Sequence, residues 1–213
     1  MKFYWIKTHW IIKKIFSNYT WDVSKGQNTV YLTFDDGPIP EVTTWVLDEL
    51  KKYDLKATFF CIGENIKKNP DLFKKIICEG HAIGNHTFNH LNGWKTPTGA
   101  YIENTQLCKE VIEQTVNSNL KTKIFRPPYG KLKTAQSIAL RKLGYQIIMW
   151  DVLSADFDTT IPKEQCLQNV ITNVKPGSII VFHDSLKAFK NLEYVLPKTL
   201  EFLKEKNYTC AVL

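Results

Sequence analysis

Arginine is almost missing from this 213-residue chain: of 28 basic residues only Arg126 and Arg141 carry a guanidinium, and the rest are lysine. Nucleic-acid readers depend on arginine for bidentate contacts to phosphate and guanine. The net charge of +7 therefore reads as lysine spread over solvated helix faces, and no nucleic-acid partner is expected. A mildly basic surface also suits an anionic polymer or an anionic membrane. The chain has no C-x-x-C pair. Its five cysteines, Cys61, Cys78, Cys108, Cys166 and Cys210, are odd in number and widely spaced, which argues against a disulfide framework and against a thiolate zinc site. Free buried thiols fit a reducing compartment. No long hydrophobic run is present, because Lys7, Lys13 and Lys14 break the stretch from Phe3 to Phe16. That stretch is neither a signal-peptide core nor a membrane span. Together with the free thiols it points to the cytoplasm, although an envelope substrate would place the protein outside. The glycine-rich loops of dinucleotide and P-loop folds are absent too. With 44% hydrophobic and 23% charged residues, and no repeat or linker, an ordered globular chain is expected.

Residues 1–24 form a basic, aromatic segment apart from the remaining chain, residues 25–213. Two placements are open for it: packed on the domain through Trp5, Trp10 and Phe16, or lying on an anionic membrane as an amphipathic helix through residues 1–18. Packing is the favoured reading. The segment lies outside every chemical motif, so the site is not expected to draw on it. The rest alternates strand and helix signals. Short apolar runs occur at Thr29–Phe34, Ala57–Ile62, Ala82–Gly84, Lys123–Phe125, Tyr145–Trp150, Ser178–Phe182 and Tyr208–Val212. Helical periodicity fills Glu41–Lys52, Pro70–Glu79, Ala100–Val116, Thr134–Leu143, Lys163–Val174 and Asn191–Lys206, with Gly80 and Gly144 where helices should stop. Strands separated by helices imply parallel pairing, in either a closed βα barrel or an open doubly wound sheet.

Polar residues gather where those strands end, which is where α/β folds build active sites. Asp35 and Asp36 close the first run in Thr-Phe-Asp-Asp-Gly-Pro. Two adjacent carboxylates call for a nearby positive charge. His86 and His90 stand four apart, the spacing of one helical face, and suit a divalent metal. One carboxylate of the Asp pair would complete a His₂Asp set with a position left open. Arg126 directly follows a strand in a loop stiffened by Pro127 and Pro128, where it can pair with Asp35 or Asp36. His183 follows another strand as a candidate acid near neutral pH. Asp156, or alternatively Asp151, would orient it.

In this combination the segments resemble the polysaccharide deacetylase family, carbohydrate esterase family four, over roughly Val30 to Leu213. The family fold is a distorted (β/α) barrel of about seven parallel strands. The resemblance implies that Asp36, His86 and His90 bind one divalent metal, most often Zn2+, with Co2+, Mn2+ or Ni2+ as substitutes. It implies that Asp35 is the general base, kept ionised by Arg126. The backbone N–H of Tyr129 would stabilise the oxyanion. His183 would protonate the leaving amine, with Asp156 behind it.

Three positions depart from the family pattern: Phe157 replaces a tryptophan that lines the groove, Leu153 replaces an acid, and Val181 replaces a leucine near the acetyl methyl. Phe157, Val181 and Tyr129 are the expected substrate contacts. The expected activity is removal of N-acetyl groups from a glycan such as chitooligosaccharide or peptidoglycan. Alternatives are an O-acetyl esterase, a hydrolase of small cyclic amides and, last, an inactive glycan-binding module.

Overall fold

A computed structural model describes residues 4–23, 28–116 and 123–213. After α1 (Trp10–Ile15), the chain runs β1 (Thr29–Asp35), α2 (Pro40–Lys52), β2 (Thr58–Cys61), α3 (Gly63–Lys68), α4 (Pro70–Cys78) and β3 (Ala82–Asn85). It continues through α5 (Thr98–Val116), β4 (Ile124–Phe125), α6 (Thr134–Lys142), β5 (Gln146–Ile147), β6 (Val152–Leu153), α7 (Lys163–Ile171), β7 (Ile179–His183), α8 (Leu186–Glu205) and β8 (Thr209–Cys210). Seven strands pair in the order β5-β4-β3-β2-β1-β7-β6, all parallel, and β8 pairs with the start of β1. The sheet curls into the half-barrel of an α/β fold, in line with the distorted barrel expected from the resemblance.

Side chains alternate across a strand, and β1 uses that period to place chemistry inside the curl. Val30, Leu32 and Phe34 face outward into the main core, with Phe59, Ile180 and Phe182 from neighbouring strands and the helices beyond. Tyr31, Thr33 and Asp35 hold the other face; Tyr31 packs inside the curl with Phe60, Ile148 and Ile179. Helices begin and end where local chemistry dictates. Pro40 and Pro70 open α2 and α4 at positions that need no N–H donor. Gly80 and Gly144 follow α4 and α6 at φ +83° and +88°, conformations costly for other residues.

Strand membership differs from the sequence reading. The run Tyr145–Trp150 yields only the short β5, because the backbone of Met149 turns to Thr20 of the N-terminal segment. β6, two residues long and embedded in a polar loop, supplies the seventh strand instead of β8. Helix α8 starts at Leu186 rather than Asn191 and continues through Pro197.

The N-terminal segment meets both edges of the curled sheet. Thr20 N–H donates to Ile147 O at 2.8 Å and Thr20 O accepts from Met149 N at 2.7 Å beside β5. Leu153 N–H donates to Ile6 O at 2.8 Å and Thr8 N–H to Asp151 O at 2.9 Å beside β6. Unpaired backbone groups of edge strands are thus satisfied by one connecting segment. Lys7 and Lys13 both reach the buried Asp151 carboxylate, which also accepts from Ser178 Oγ. Burial would raise the Asp151 carboxyl, but these donors hold it below its ordinary value. Among the described residues no helix is long and apolar enough to cross a membrane.

Candidate active site

The carboxyl ends of β1, β3, β4, β6 and β7 open on one pocket of about 270 Å³. Asp35, the last residue of β1, points into it. Asp36 follows at φ 86°, in a left-handed turn, and lines the same pocket. Gly37 is obligatory at the next position: a Cβ there would lie 2.0 Å from the Asp184 carboxylate, which accepts the Gly37 N–H at 3.0 Å.

His86 and His90 converge on Asp36, but through a loop rather than the expected helical turn. Thr87 and His90 adopt φ 64° and 55°. Side chains hold that shape: Asn85 Oδ1 accepts from Thr87 N, Thr87 Oγ1 from Leu91 N, and Asn104 Oδ1 from Phe88 N and Asn89 N. Asp36 Oδ1 lies 3.2 Å from His90 Nε2 and 3.7 Å from His86 Nε2. One ligand atom from each residue falls within 4.8 Å of the others. Asp36 Oδ1 is buried with no hydrogen-bond partner, a costly arrangement unless a cation satisfies it. His86 Nδ1 sits 2.7 Å from Arg126 O, which orients the ring and directs Nε2 at the triad. Burial pushes His86 down to about 4, against the opposing pull of Asp35 and Asp36, so the ring is neutral as a metal ligand must be. Burial would raise Asp36, but His90, His183 and His86 outweigh it and hold the carboxyl well below its usual range. Two nitrogens and a carboxylate oxygen with an open side fit a divalent cation.

Arg126 is wholly buried behind this set. Its Nη1 donates to Asp35 Oδ1 and to Thr33 Oγ1, both at 2.7 Å, and Nη2 donates to Met149 O at 3.0 Å. The Phe60 ring supports the guanidinium face at 4.1 Å. Of the two carboxylates open to Arg126 in the sequence, Asp35 is the partner. Tyr129 stands at φ 60° with its ring 4.5 Å from that of His90.

His183, at the end of β7, faces the triad across the pocket. Its Nδ1 lies 2.8 Å from Asp156 Oδ1, and its backbone N–H donates to Asp156 Oδ2 at 2.8 Å. Burial works against the charged ring, yet Asp156, with Asp36 and Asp35 behind it, raises His183 to about 9. Asp156 is therefore the partner; the alternative, Asp151, lies in the lysine cluster of the N-terminal segment. The Phe157 ring packs edge-on against His183 at 4.9 Å, and Leu153 and Val181 also line the pocket.

Three residues were missed. Thr33 anchors Arg126, and the signal was its place in the β1 motif. Asp184 follows His183 and pins the Gly37 turn, also accepting from Thr43 Oγ1; burial raises it to about 8, leaving it protonated and adding no charge near neutral pH. Tyr4 had no signal at all. It lines the pocket and packs at 5.6 Å against Phe157, contrary to the expectation that the N-terminal segment stays out of the site.

Residues 22–148 match the family model described as polysaccharide deacetylase. A peptidoglycan-N-acetylglucosamine deacetylase of Bacillus cereus is 37% identical over 191 residues, covering 89% of this chain and 88% of the relative. A chitooligosaccharide deacetylase of Azorhizobium caulinodans is 34% identical over 163 residues, 76% of each chain. The crystal structure of the Bc1960 peptidoglycan N-acetylglucosamine deacetylase superposes with a TM-score of 0.85 at 33% identity, covering 92% of this chain and 91% of that one.

Proposed function

Because the chain belongs to the polysaccharide deacetylase family, we propose that it is a glycan N-deacetylase, hydrolysing the acetamide of N-acetylglucosamine residues with the residues of this pocket. The observation that carries the assignment is the buried, unpartnered Asp36 Oδ1 set between two imidazole Nε2 atoms. Asp36, His86 and His90 hold the cation, and nitrogen and carboxylate donors at this count favour zinc. When bound, such an ion polarises an acetamide carbonyl and makes water a nucleophile near neutral pH.

The chain's own groups do the rest. Asp35 accepts a proton from the attacking water, and the hydrogen bond from the Arg126 guanidinium holds its carboxylate in place. The Tyr129 N–H donates to the carbonyl oxygen as negative charge develops there. His183 donates a proton to the departing nitrogen; its Nδ1–H is committed to Asp156, which leaves Nε2 for the substrate. An amine leaves far less readily than an alkoxide, so amide cleavage needs an acid at this position more than ester cleavage does. That favours N-deacetylation over an O-acetyl esterase. Val181, Leu153 and Phe157 line the pocket around the acetyl group and the sugar ring.

The test is acetate release from chitopentaose and from peptidoglycan fragments by zinc-loaded protein. Turnover that a chelator stops and zinc restores is expected. Release from acetylated xylan alone, with no N-acetyl substrate cleaved, would overturn the reading.

A further inference from the structure

The N-terminal segment is fastened by its backbone and leaves one side of itself bare. No acidic residue precedes Asp22, whereas Lys2, Lys7, Lys13 and Lys14 do. In α1 the helical period sorts the side chains by face. Ile12 packs against the cluster that holds Trp21 and Phe125, and Lys13 turns back to Asp22 and Asp151. Trp10, Ile11, Lys14 and Ile15 share the remaining face, and none of them is buried; Trp10 is 63% and Ile15 65% exposed. Of the twelve exposed large apolar side chains among the described residues, five lie between Trp5 and Phe16. Clustering of this kind, unlike single scattered residues, marks an interaction surface. The same place is basic. Trp10 borders a cavity of about 350 Å³ lined by Lys7, Lys13 and Lys175 with Asp22 and Asp151. Lys7 and Lys13 already neutralise those two carboxylates, so the exposed Lys14 and Lys175 are a surplus of positive charge on either side of Trp10.

We propose that this outer face of α1 docks the protein on an anionic lipid surface. Apolar and indole side chains interleaved with lysine are what the headgroup boundary accepts. Ile11 and Ile15 leave water, the Trp10 ring sits at the boundary with its N–H hydrated, and the lysines meet lipid phosphates. The helix is already folded on the domain, so docking costs little further ordering. A second copy of the chain fits the face less well. A two-fold contact would set lysine against lysine, and four side chains fall short of the roughly 800 Å² per partner that a stable dimer buries. None of the four lines the catalytic pocket, so the proposal is independent of the reaction assigned there. The pocket is nevertheless close. Tyr4 lines it and precedes Trp10 by six residues, a chain reach of at most about 20 Å. A docked molecule therefore works close to the lipid surface.

The experiment is co-sedimentation of the full chain with vesicles, either phosphatidylglycerol mixed equally with phosphatidylcholine or phosphatidylcholine alone. Wild-type protein should pellet with the anionic vesicles and partition at least about fivefold less onto the neutral ones, or onto the anionic ones in about 0.5 M sodium chloride. Ile15→Asp should lower partition onto anionic vesicles by about tenfold or more, and Lys14→Glu by about fivefold. Both residues are exposed, so the variants should melt as the wild type does. Ile138→Asp, at an exposed apolar residue of α6, should leave partition unchanged. Failure of the wild type to pellet with anionic vesicles overturns the proposal. So does partition that ignores Ile15→Asp and Lys14→Glu, or that Ile138→Asp lowers equally. Equal partition onto neutral vesicles overturns it as well, because the lysines would then have no part. A dimer in sedimentation velocity that Ile15→Asp dissociates, without vesicle binding, would make the face a contact between copies instead.

Discussion

His86 and His183 face one pocket and are pushed in opposite directions. On the β3 side, His86 lies against a backbone carbonyl and burial dominates, so it drops to about 4. On the β7 side, His183 lies against a carboxylate and rises to about 9. A neutral ring can ligate a metal and a charged ring can donate a proton, so the two environments suit the two rings to the separate roles proposed for them. The difference is set one residue behind each ring, by Arg126 O in one case and Asp156 in the other.

The strongest break comes from the ligand side. His86→Ala should remove turnover altogether, read as acetate release, because Asp36 and His90 alone hold a cation too weakly. On the acid side, His183→Ala should leave the fold intact and lower kcat by about 10²–10⁴-fold. Asp35→Asn should do the same from the base side. Near wild-type rates in either variant would remove that residue from its role.

Asp156→Asn sharpens the contrast. Without the carboxylate, His183 should fall from about 9 toward 6.5, so the alkaline limb of the rate profile should move to lower pH. NMR titration of the imidazole would show the shift directly, and an unmoved limb would refute the pairing.

Stability of the metal-free protein gives a smaller but signed effect. His183 has a folded pKa raised above its ordinary 6.5, so its contribution is complete below about pH 6.5 and lost as pH climbs through about 9. His86 is depressed to about 4, so its contribution is complete above about 6.5 and lost as pH falls toward 4. Each contributes at most about 3 kcal/mol. Urea melts should lose stability as pH rises above about 6.5, where the buried Asp184, raised to about 8, ionises as well, and His183→Ala should make that alkaline loss shallower without removing it. The smallest effect is expected far from the rings. Asp151→Asn strips the charge paired with Lys7 and Lys13, both partly exposed, and should cost about 1–3 kcal/mol, or a few degrees of Tm.

The catalytic side was legible because its residues sit in short motifs at strand ends. A parallel α/β sheet brings all such ends to one edge, so Asp35, His86, Arg126 and His183 could be gathered without knowing the path between them. The strand pattern of β1 was likewise readable from its apolar run. What stayed hidden depends on contacts distant in sequence. Nothing around Tyr4 signals that it will pack on Phe157, 153 positions later. β6 carries too few residues to show a period, and Pro197 suggests a break that α8 does not make. The histidine pair was read as helical from its spacing, whereas left-handed residues at Thr87 and His90 deliver the same convergence.

The most direct measurement is calorimetric titration of zinc into metal-free wild type, His86→Ala and His183→Ala, with acetate release recorded on the same samples. The account predicts that His86→Ala neither binds the ion tightly nor releases acetate, while His183→Ala binds it as the wild type does and is still nearly inactive. Tight zinc binding by His86→Ala, or loss of binding in His183→Ala, would contradict the division of roles between the two histidines.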